Sequence, residues 1–176
     1  MSSNWYRNVI AFLLMACMLF SFALAEESAL DLSETNPETG YAAAIEDGAG
    51  LLEDEDLALN RDIMIRVTAF CNAGFYTYDG EDPTNAEEKA RIWGAKQFGD
   101  APFTVFVIDM YTREVAIFST SPVYYTITQD VANEILESTF IHATHGDYGK
   151  CAYDTFSLIL EKLENDKVGP ESTPVV

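Results

Sequence analysis

The chain has 176 residues, of which 29 are acidic and 10 are basic, so its formal net charge at pH 7 is −19. Nucleic acid and anionic membrane surfaces repel so negative a protein, and the composition argues against both as partners. With 48% hydrophobic and 12% aromatic residues, the chain can bury a core and falls outside the disordered class. Its acidity is typical of a solubilising surface, and it also suits divalent cations or basic partners.

The first 25 residues are predicted to be a secretory signal peptide. Arg7 precedes an apolar run from Val9 to Phe22, and a small-x-small motif that ends at Ala25 is followed by two glutamates. The run is shorter than the roughly 20 residues that a transmembrane helix needs, so we predict cleavage after Ala25. The mature protein is then secreted or extracytoplasmic and has no intrinsic membrane span. If the segment is not cleaved, it anchors the protein at the cell surface.

The rest of the chain divides into three parts. Residues 26–40 are polar and show no apolar periodicity, which predicts a flexible acidic leader. Residues 164–176 contain two prolines and no helical pattern, which predicts a flexible tail. Between them, residues 41–163 are predicted to fold as one domain.

The predicted domain begins with a helix, a strand and a second helix. The first helix follows a group of acidic residues, and it has one apolar face that is formed by Leu52, Leu59, Ile63, Val67 and Phe70. Residues 73–79 are predicted to be a strand because aromatic residues and threonine dominate them. The spacing of Thr84 and Glu87 predicts a capping box at the start of the second helix, which presents Ala86, Ala90 and Trp93 on one side.

The next stretch, FTVFVIDMYTREVAIF at residues 103–118, predicts a β-hairpin from Thr104–Asp109 and Glu114–Ser119. Its first strand is apolar on both faces, which is typical of a strand inside a covered sheet. Two more helices follow, one from about Thr128 to Ala143 and one that begins at Asp147. The element order predicts an α/β (α+β) sandwich, in which about four helices flank a small mixed sheet with a central β-hairpin.

Two cysteines, Cys71 and Cys151, remain after signal cleavage. Outside the cytoplasm they could form one disulfide or stay as two free thiols, and their spacing leaves both alternatives open. No general base adjoins Cys71 in sequence, and no nucleophile or phosphate-loop motif occurs. The sequence therefore assigns no catalytic residue.

Four segments resemble the TPM-domain family, and together they span about residues 41–163. IEDGAGLLEDEDL (45–57) is similar to the segment that leads into the family's first helix, and FVIDMYTREVAIFS (106–119) is similar to its hairpin. YTITQD (125–130) and HGDYGKCAYDTF (145–156) resemble the starts of its last two helices. The details look most like bacterial, clostridial-type members. The resemblance implies an extracytoplasmic α/β sandwich, and family roles range from receptor accessory subunits to thylakoid proteins to which acid phosphatase activity has been ascribed.

Two loops depart from the family pattern. Members often carry Asp-Asp-Gly or Asp-Asn-Gly where this chain has Asp100 followed by Ala101 and Pro102, and Thr-Gly-x-Gly where it has STSPVYY. Glycine permits close backbone approach to a ligand, whereas proline removes a donor. The departures favour an accessory role over a phosphate or metal pocket that is built on these loops.

The candidate metal ligands are four aspartates at family-like positions: Asp47, Asp100, Asp130 and Asp147. Carboxylates from loops at one edge of a sheet could bind Ca²⁺ or another divalent cation. Helix capping and turn formation explain the same residues without a ligand. The two histidines before Asp147, His142 and His145, pose a similar choice between a transition-metal site and a solvated helix end.

Asp109 closes the first hairpin strand, where enzymes often keep a catalytic acid and hairpins keep a turn former. At the start of the turn its carboxylate can accept backbone N–H groups of the connection or meet Arg113 four residues on, and this position favours the turn former. The leading functional hypothesis is a non-catalytic accessory or interaction module with an unknown protein partner at the cell envelope. The alternative is a weak divalent-metal-dependent acid phosphatase, in which Asp47, Asp100 and Asp147 hold the ion.

Overall fold

The computed structural model describes residues 30–166, which contain five strands, four α-helices and a short 3-10 helix. The predicted signal peptide, its cleavage site at Ala25 and the end of the predicted tail lie outside these residues. The elements are β1 (Leu32–Thr35), β2 (Ala42–Asp47), α1 (Asp54–Val67), β3 (Asn72–Tyr78), α2 (Ala86–Phe98), β4 (Phe103–Asp109), β5 (Glu114–Ser119), a short 3-10 helix (Val123–Tyr125), α3 (Gln129–Thr144) and α4 (Tyr148–Asp166).

The five strands form one mixed sheet in the order β1-β2-β3-β4-β5. The three middle strands run parallel, whereas β1 pairs antiparallel with β2 and β5 pairs antiparallel with β4. The predicted hairpin is confirmed as β4 and β5, with Ile108 opposite Val115. The sheet therefore ends at β1 on one side and at β5 on the other.

Helices cover both faces of the sheet, as the two-sided apolar pattern of β4 predicts. Phe106 and Ile108 face a large core that includes side chains of α1, α3 and α4. Val105 and Val107 face a smaller core that includes side chains of α2. The predicted sandwich of a mixed sheet and flanking helices is confirmed, and successive residues of β4 belong to opposite layers.

The folded part is longer at both ends than the sequence predicts. β1 lies inside the predicted leader, because its polar segment pairs with β2 through backbone groups and its residues alternate between half-buried and exposed. The sequence pattern also does not predict β2, whose alanines have low strand propensity although Ala43 and Ala44 are buried. At the other end, α4 continues to Asp166. Within residues 30–166, no helix combines the length and the apolar character that a membrane crossing requires.

Candidate functional site

Asp47, the first of the predicted metal ligands, ends β2 and holds the loop that follows. Its carboxylate accepts hydrogen bonds from the backbone N–H groups of Leu51 (3.0 Å) and Leu52 (2.8 Å). The hydroxyl of Thr77, on the neighbouring strand, donates to the same carboxylate. Asp47 therefore closes the turn between β2 and α1 and joins it to β3.

Asp100 lies at the opposite end of the parallel strands from Asp47. Asp100 precedes the first residue of β4. Asp47 pairs with Thr77 on β3, and Thr77 pairs with Ile108, which is near the last residue of β4. β4 has seven residues, and a strand of that length spans about 20 Å. The exposed Asp100 and Asp47 therefore cannot coordinate the same ion.

The other two predicted ligands lie at helix starts. Asp130 is exposed in the first turn of α3, whose N-cap is Thr128. Asp147 precedes α4, and its Oδ1 accepts the N–H of Lys150 at 3.2 Å. Among residues 30–166, no three His, Cys, Asp or Glu side chains come close enough together to hold a metal ion. The structure leaves the four aspartates as separate caps and surface groups.

The two histidines occupy the end of α3. The Nε2 atom of His142 lies 3.0 Å from Oδ2 of Asp154 on α4, and Lys150 donates to the same oxygen at 2.8 Å. His145 is exposed and caps the helix. The geometry around His142 is that of a side chain that links α3 to α4.

Both cysteines are free and buried in the structure. Burial raises the pKa of Cys71 to about 12 and that of Cys151 to about 11. Because the thiolate is the nucleophile and the metal ligand, a thiol with so high a pKa is inert at neutral pH. The sequence leaves open either a disulfide or two free thiols, and in the structure Cys71 and Cys151 are free thiols.

Asp109 is the last residue of β4, in the β4–β5 hairpin, and only 1% of its surface is exposed. Its Oδ1 accepts the N–H groups of Tyr111 (2.9 Å) and Thr112 (3.1 Å), so it closes the turn as the sequence predicts. Its Oδ2 accepts a hydrogen bond from the ammonium group of Lys89 on α2. Burial alone raises the pKa of Asp109, but the bonds from Lys89, Thr112 and Tyr111 outweigh it and lower the pKa below its usual value.

The partner of Asp109 is Lys89 and not Arg113, which corrects the sequence-based expectation. Asp109 shares the sheet face of Val105 and Val107, which is the face that α2 covers, so its carboxylate meets α2. Lys89 also donates to the carbonyl of Asp82 at 2.8 Å. The pair therefore joins the hairpin turn, α2 and the loop before α2.

Arg113 instead lines a cleft of about 440 Å³ beside the hairpin turn. Its backbone adopts the left-handed conformation, with φ at 59°, and its side chain is exposed. Among the described residues, none forms an ion pair with it. The other lining residues come from the hairpin, the end of α3 and the start of α4: Ile108, Asp109, Met110, Glu114, Val115, Phe140, Ala143, Thr144 and Tyr148.

Two further clefts continue along β5. One of about 320 Å³ lies between the start of α2, the strand from Glu114 to Ile117, and α3. A smaller one of about 30 Å³ lies at the end of the strand, where Tyr124 forms part of its wall. The open edge of β5 together with these three clefts is called the β5 groove below.

The floor of the β5 groove is a row of backbone groups. In an antiparallel pair, alternate residues bond to the partner strand and the residues between them point away from it. The N–H of Thr120 donates to the carbonyl of Phe103 at 2.9 Å, so Ala116 and Phe118 bond to β4. The residues that point outward are Val115, Ile117 and Ser119, and no backbone group within residues 30–166 pairs with their outward N–H and C=O groups.

The walls of the groove are acidic in the middle. Glu87 is exposed in the first turn of α2. The carboxylate of Glu114 accepts the N–H of Ala86 at 3.1 Å, which fixes it at the start of the same helix. Arg113 supplies the basic group at the hairpin end. No sequence motif marks this site, because it depends on β5 being an edge strand.

Comparison with known proteins identifies relatives of the fold alone. No family model matches the chain, and no curated protein matches its sequence. The N-terminal domain of a protein from P. gingivalis is 15% identical, with a TM-score of 0.62 over 73% of this chain and 87% of that domain. The N-terminal domain of a Corynebacterium glutamicum protein is 12% identical, with a TM-score of 0.55 over 87% of this chain and 91% of that one. A Bizionia argentinensis protein is 9% identical, with a TM-score of 0.54 over 71% and 88%. The fold is thus one that bacterial proteins use as an N-terminal domain.

Proposed function

We propose that the chain is an extracytoplasmic TPM-like domain that acts as a non-catalytic interaction module and docks a partner protein in the β5 groove. The observation that carries the proposal is the open edge of β5, which clefts accompany from its first residue to its last. Large hydrophobic side chains are exposed at both ends, Phe140 at 43% and Tyr124 at 48%. Open strand edges and exposed apolar groups are features of docking surfaces.

The family assignment within this proposal rests on the four sequence segments that resemble TPM proteins, and the fold shared with bacterial N-terminal domains supports it. The secreted or extracytoplasmic location rests on the signal-like segment that ends at Ala25. Signal cleavage is testable by N-terminal sequencing of the protein from the culture medium and envelope. The expected first residue is Glu26.

The metal-dependent phosphatase is less well supported by the geometry. Its ion would need Asp47 and Asp100 together, although these residues lie at opposite ends of the parallel strands. The carboxylate of Asp47 already accepts hydrogen bonds from its own loop and from Thr77. Phosphate release from p-nitrophenyl phosphate with Ca²⁺, Mg²⁺ or Zn²⁺, lost in a variant of the exposed Asp100, Asp100→Ala, would establish the enzyme and contradict our proposal.

Site-resolved photo-crosslinking tests the docking surface. Benzoylphenylalanine replaces Phe140 or Tyr124 in the groove, and it replaces Leu59 or Ile92 as a matched control. The control residues are equally exposed, at 43% and 52%, but belong to α1 and to the outer side of α2. Each variant is mixed with cell envelope from the native host and irradiated. We expect both groove variants to crosslink to the same partner protein and neither control variant to do so. Adducts that form equally at all four positions, or at none, would contradict the proposal.

A further inference from the structure

We propose that the partner binds by strand addition, so that an extended and basic segment of another protein becomes a sixth strand beside β5. This inference rests on the proposed docking function and specifies its mode and the chemistry of the partner. Three observations carry it: unpaired backbone groups, helices that flank the edge on both faces of the sheet, and acidic charge.

The unpaired backbone groups come first. Val115, Ile117 and Ser119 each direct one N–H and one C=O away from β4. Groups of this kind are the template on which an extended peptide adds to a sheet edge, with main-chain bonds for affinity and alternate side chains for specificity. Edge strands that do not bind are usually short, charged or covered by a loop or helix. β5 has six residues, and its edge borders clefts.

The edge of β5 is flanked on both sides, because α2 and α3 lie on opposite faces of the sheet there. Asn85 and Glu87 form one wall of the middle cleft, and Gln129 and Asn133 form the other. A new strand lies about 4.8 Å from its neighbour, and its successive side chains point to opposite faces. One set of side chains would therefore face α2 and the other α3. A side chain near the hairpin end would enter the 440 Å³ cleft beside Phe140.

The acidic charge of the groove favours a basic segment of another protein over two other occupants, which are a second copy of the chain and the chain's own residues 167–176. Glu87 and Glu114 lie in the middle of the groove, in a protein of net charge −19. A second copy would pair β5 with itself about a two-fold axis, which would bring these carboxylates together across the interface. The chain's own residues 167–176 contain Glu171 and two prolines, and proline cannot donate to a strand ladder.

Amide hydrogen exchange of the full chain tests the inference. The probe is an eight-residue peptide of alternating lysine and valine. We expect the peptide to slow exchange at the outward amides of Val115 and Ile117 by about tenfold, with no change at Ala116 and Phe118, which already bond to β4. Two control peptides, one with glutamate for lysine and one with N-methylated alternate amides, are expected to give no protection.

Two pairs of variants separate the backbone and the charge contributions. Val115→Pro removes one outward donor without removing a bond to β4, and we expect it to weaken peptide binding about fivefold relative to Val115→Ala. Glu87→Lys is expected to weaken binding, whereas Glu55→Lys, at the equivalent second position of α1, is expected to leave it unchanged. Circular dichroism of each variant shows that it is folded.

Several outcomes would overturn the inference. These are protection by the glutamate peptide, binding without protection of Val115 and Ile117, protection of these amides before peptide is added, or protection that grows with protein concentration alone. The last two would assign β5 to the chain's own segment or to a second copy. Crosslinks at Phe140 and Tyr124 without strand protection would leave the docking function standing and remove only its proposed mode.

Discussion

An antiparallel strand pair lies at each edge of the sheet, and the two pairs are attached to the neighbouring helices in different ways. β1 with β2, and β4 with β5, are each tied to a helix by one ion pair. The pair at the first edge, Arg61 with Glu34, has side chains that are 45% and 39% exposed. The pair at the second edge, Lys89 with Asp109, is 6% and 0% exposed. The same chemistry therefore serves as a surface contact at one edge and as a structural anchor at the other.

The difference matters for function because the edge with the buried pair also has the longer edge strand and the three clefts. β1 has four residues and alternates between half-buried and exposed positions. β5 has six residues, and its hairpin turn is locked to α2 by the buried pair, so its outward groups are presented on a rigid frame. Because β5 is already held in place, it loses little conformational entropy when another strand binds to it.

The largest expected effect is at the buried pair. Asp109→Asn retains an oxygen for the turn N–H groups but leaves the Lys89 ammonium buried without its counterion. We expect the free energy of unfolding to fall by about 3–5 kcal/mol, as for other broken buried pairs. Urea denaturation at pH 7 measures it. Lys89→Met combined with Asp109→Asn is expected to regain part of the loss, because the double variant buries no charge.

A loss below about 1 kcal/mol in Asp109→Asn would mean that the pair behaves like a solvated surface contact. A double variant that is as unstable as the sum of its single variants would mean that the two residues do not act together. Either result would remove the contrast between the two edges.

The pH dependence of the same pair gives the next effect. The pKa of Asp109 is lowered in the folded state, so its charge stabilises the fold at pH values above the unfolded pKa of about 3.9. That stabilisation is lost as the pH falls through the lower folded pKa. The stability gap between the natural chain and Asp109→Asn is therefore expected to be constant from about pH 6 to 8 and to shrink below about pH 4. Urea titrations across this range test it, and a gap that widens in acid would contradict it.

The sequence predicts those parts of the fold whose signal is local. The two-sided apolar pattern of β4 and the helical spacing of Cys151, Phe156 and Leu163 both match buried positions in the structure. β1 and β2 escape prediction because one is polar and the other is rich in alanine. β2 is a strand because it pairs with β3, and β1 is a strand because it pairs with β2, so both depend on tertiary contacts.

The same distinction applies to the site. The role of Asp109 in the turn is predictable because the accepting N–H groups lie two and three residues away. Lys89 lies 20 residues upstream, and only the packing of α2 on the Val105 face brings it to Asp109. Its position on the same helix face as Ala86, Ala90 and Trp93 is a signal, since a charge on an apolar face needs a buried partner. The open edge of β5 has no such signal, because strand order is not encoded in any short segment.

A smaller effect is expected in the two turns, which both use the left-handed conformation. Gly40, between β1 and β2, has φ at 76° and open space where a Cβ would be, whereas Arg113 has φ at 59°. Gly40→Ala is expected to destabilise the fold by about 1 kcal/mol. Arg113→Gly is expected to stabilise it by up to about 1 kcal/mol, with Arg113→Ala as the control that keeps the strained backbone. Thermal unfolding of the three variants measures the order, and a destabilised Arg113→Gly would show that the turn is not strained.

The smallest expected effect is at the exposed pair. Glu34→Gln removes the carboxylate that accepts the hydrogen bond of Arg61, and this bond raises the pKa of Arg61. Because both side chains are largely in water, solvent and salt screen their attraction, and the gain is further reduced by the entropy that two long side chains lose. We expect a change too small for a urea titration to resolve, at low salt and at high salt alike. A loss in Glu34→Gln as large as that in Asp109→Asn would show that exposure does not set the strength of these two pairs, and the β1 edge would then be anchored as firmly as the β5 edge.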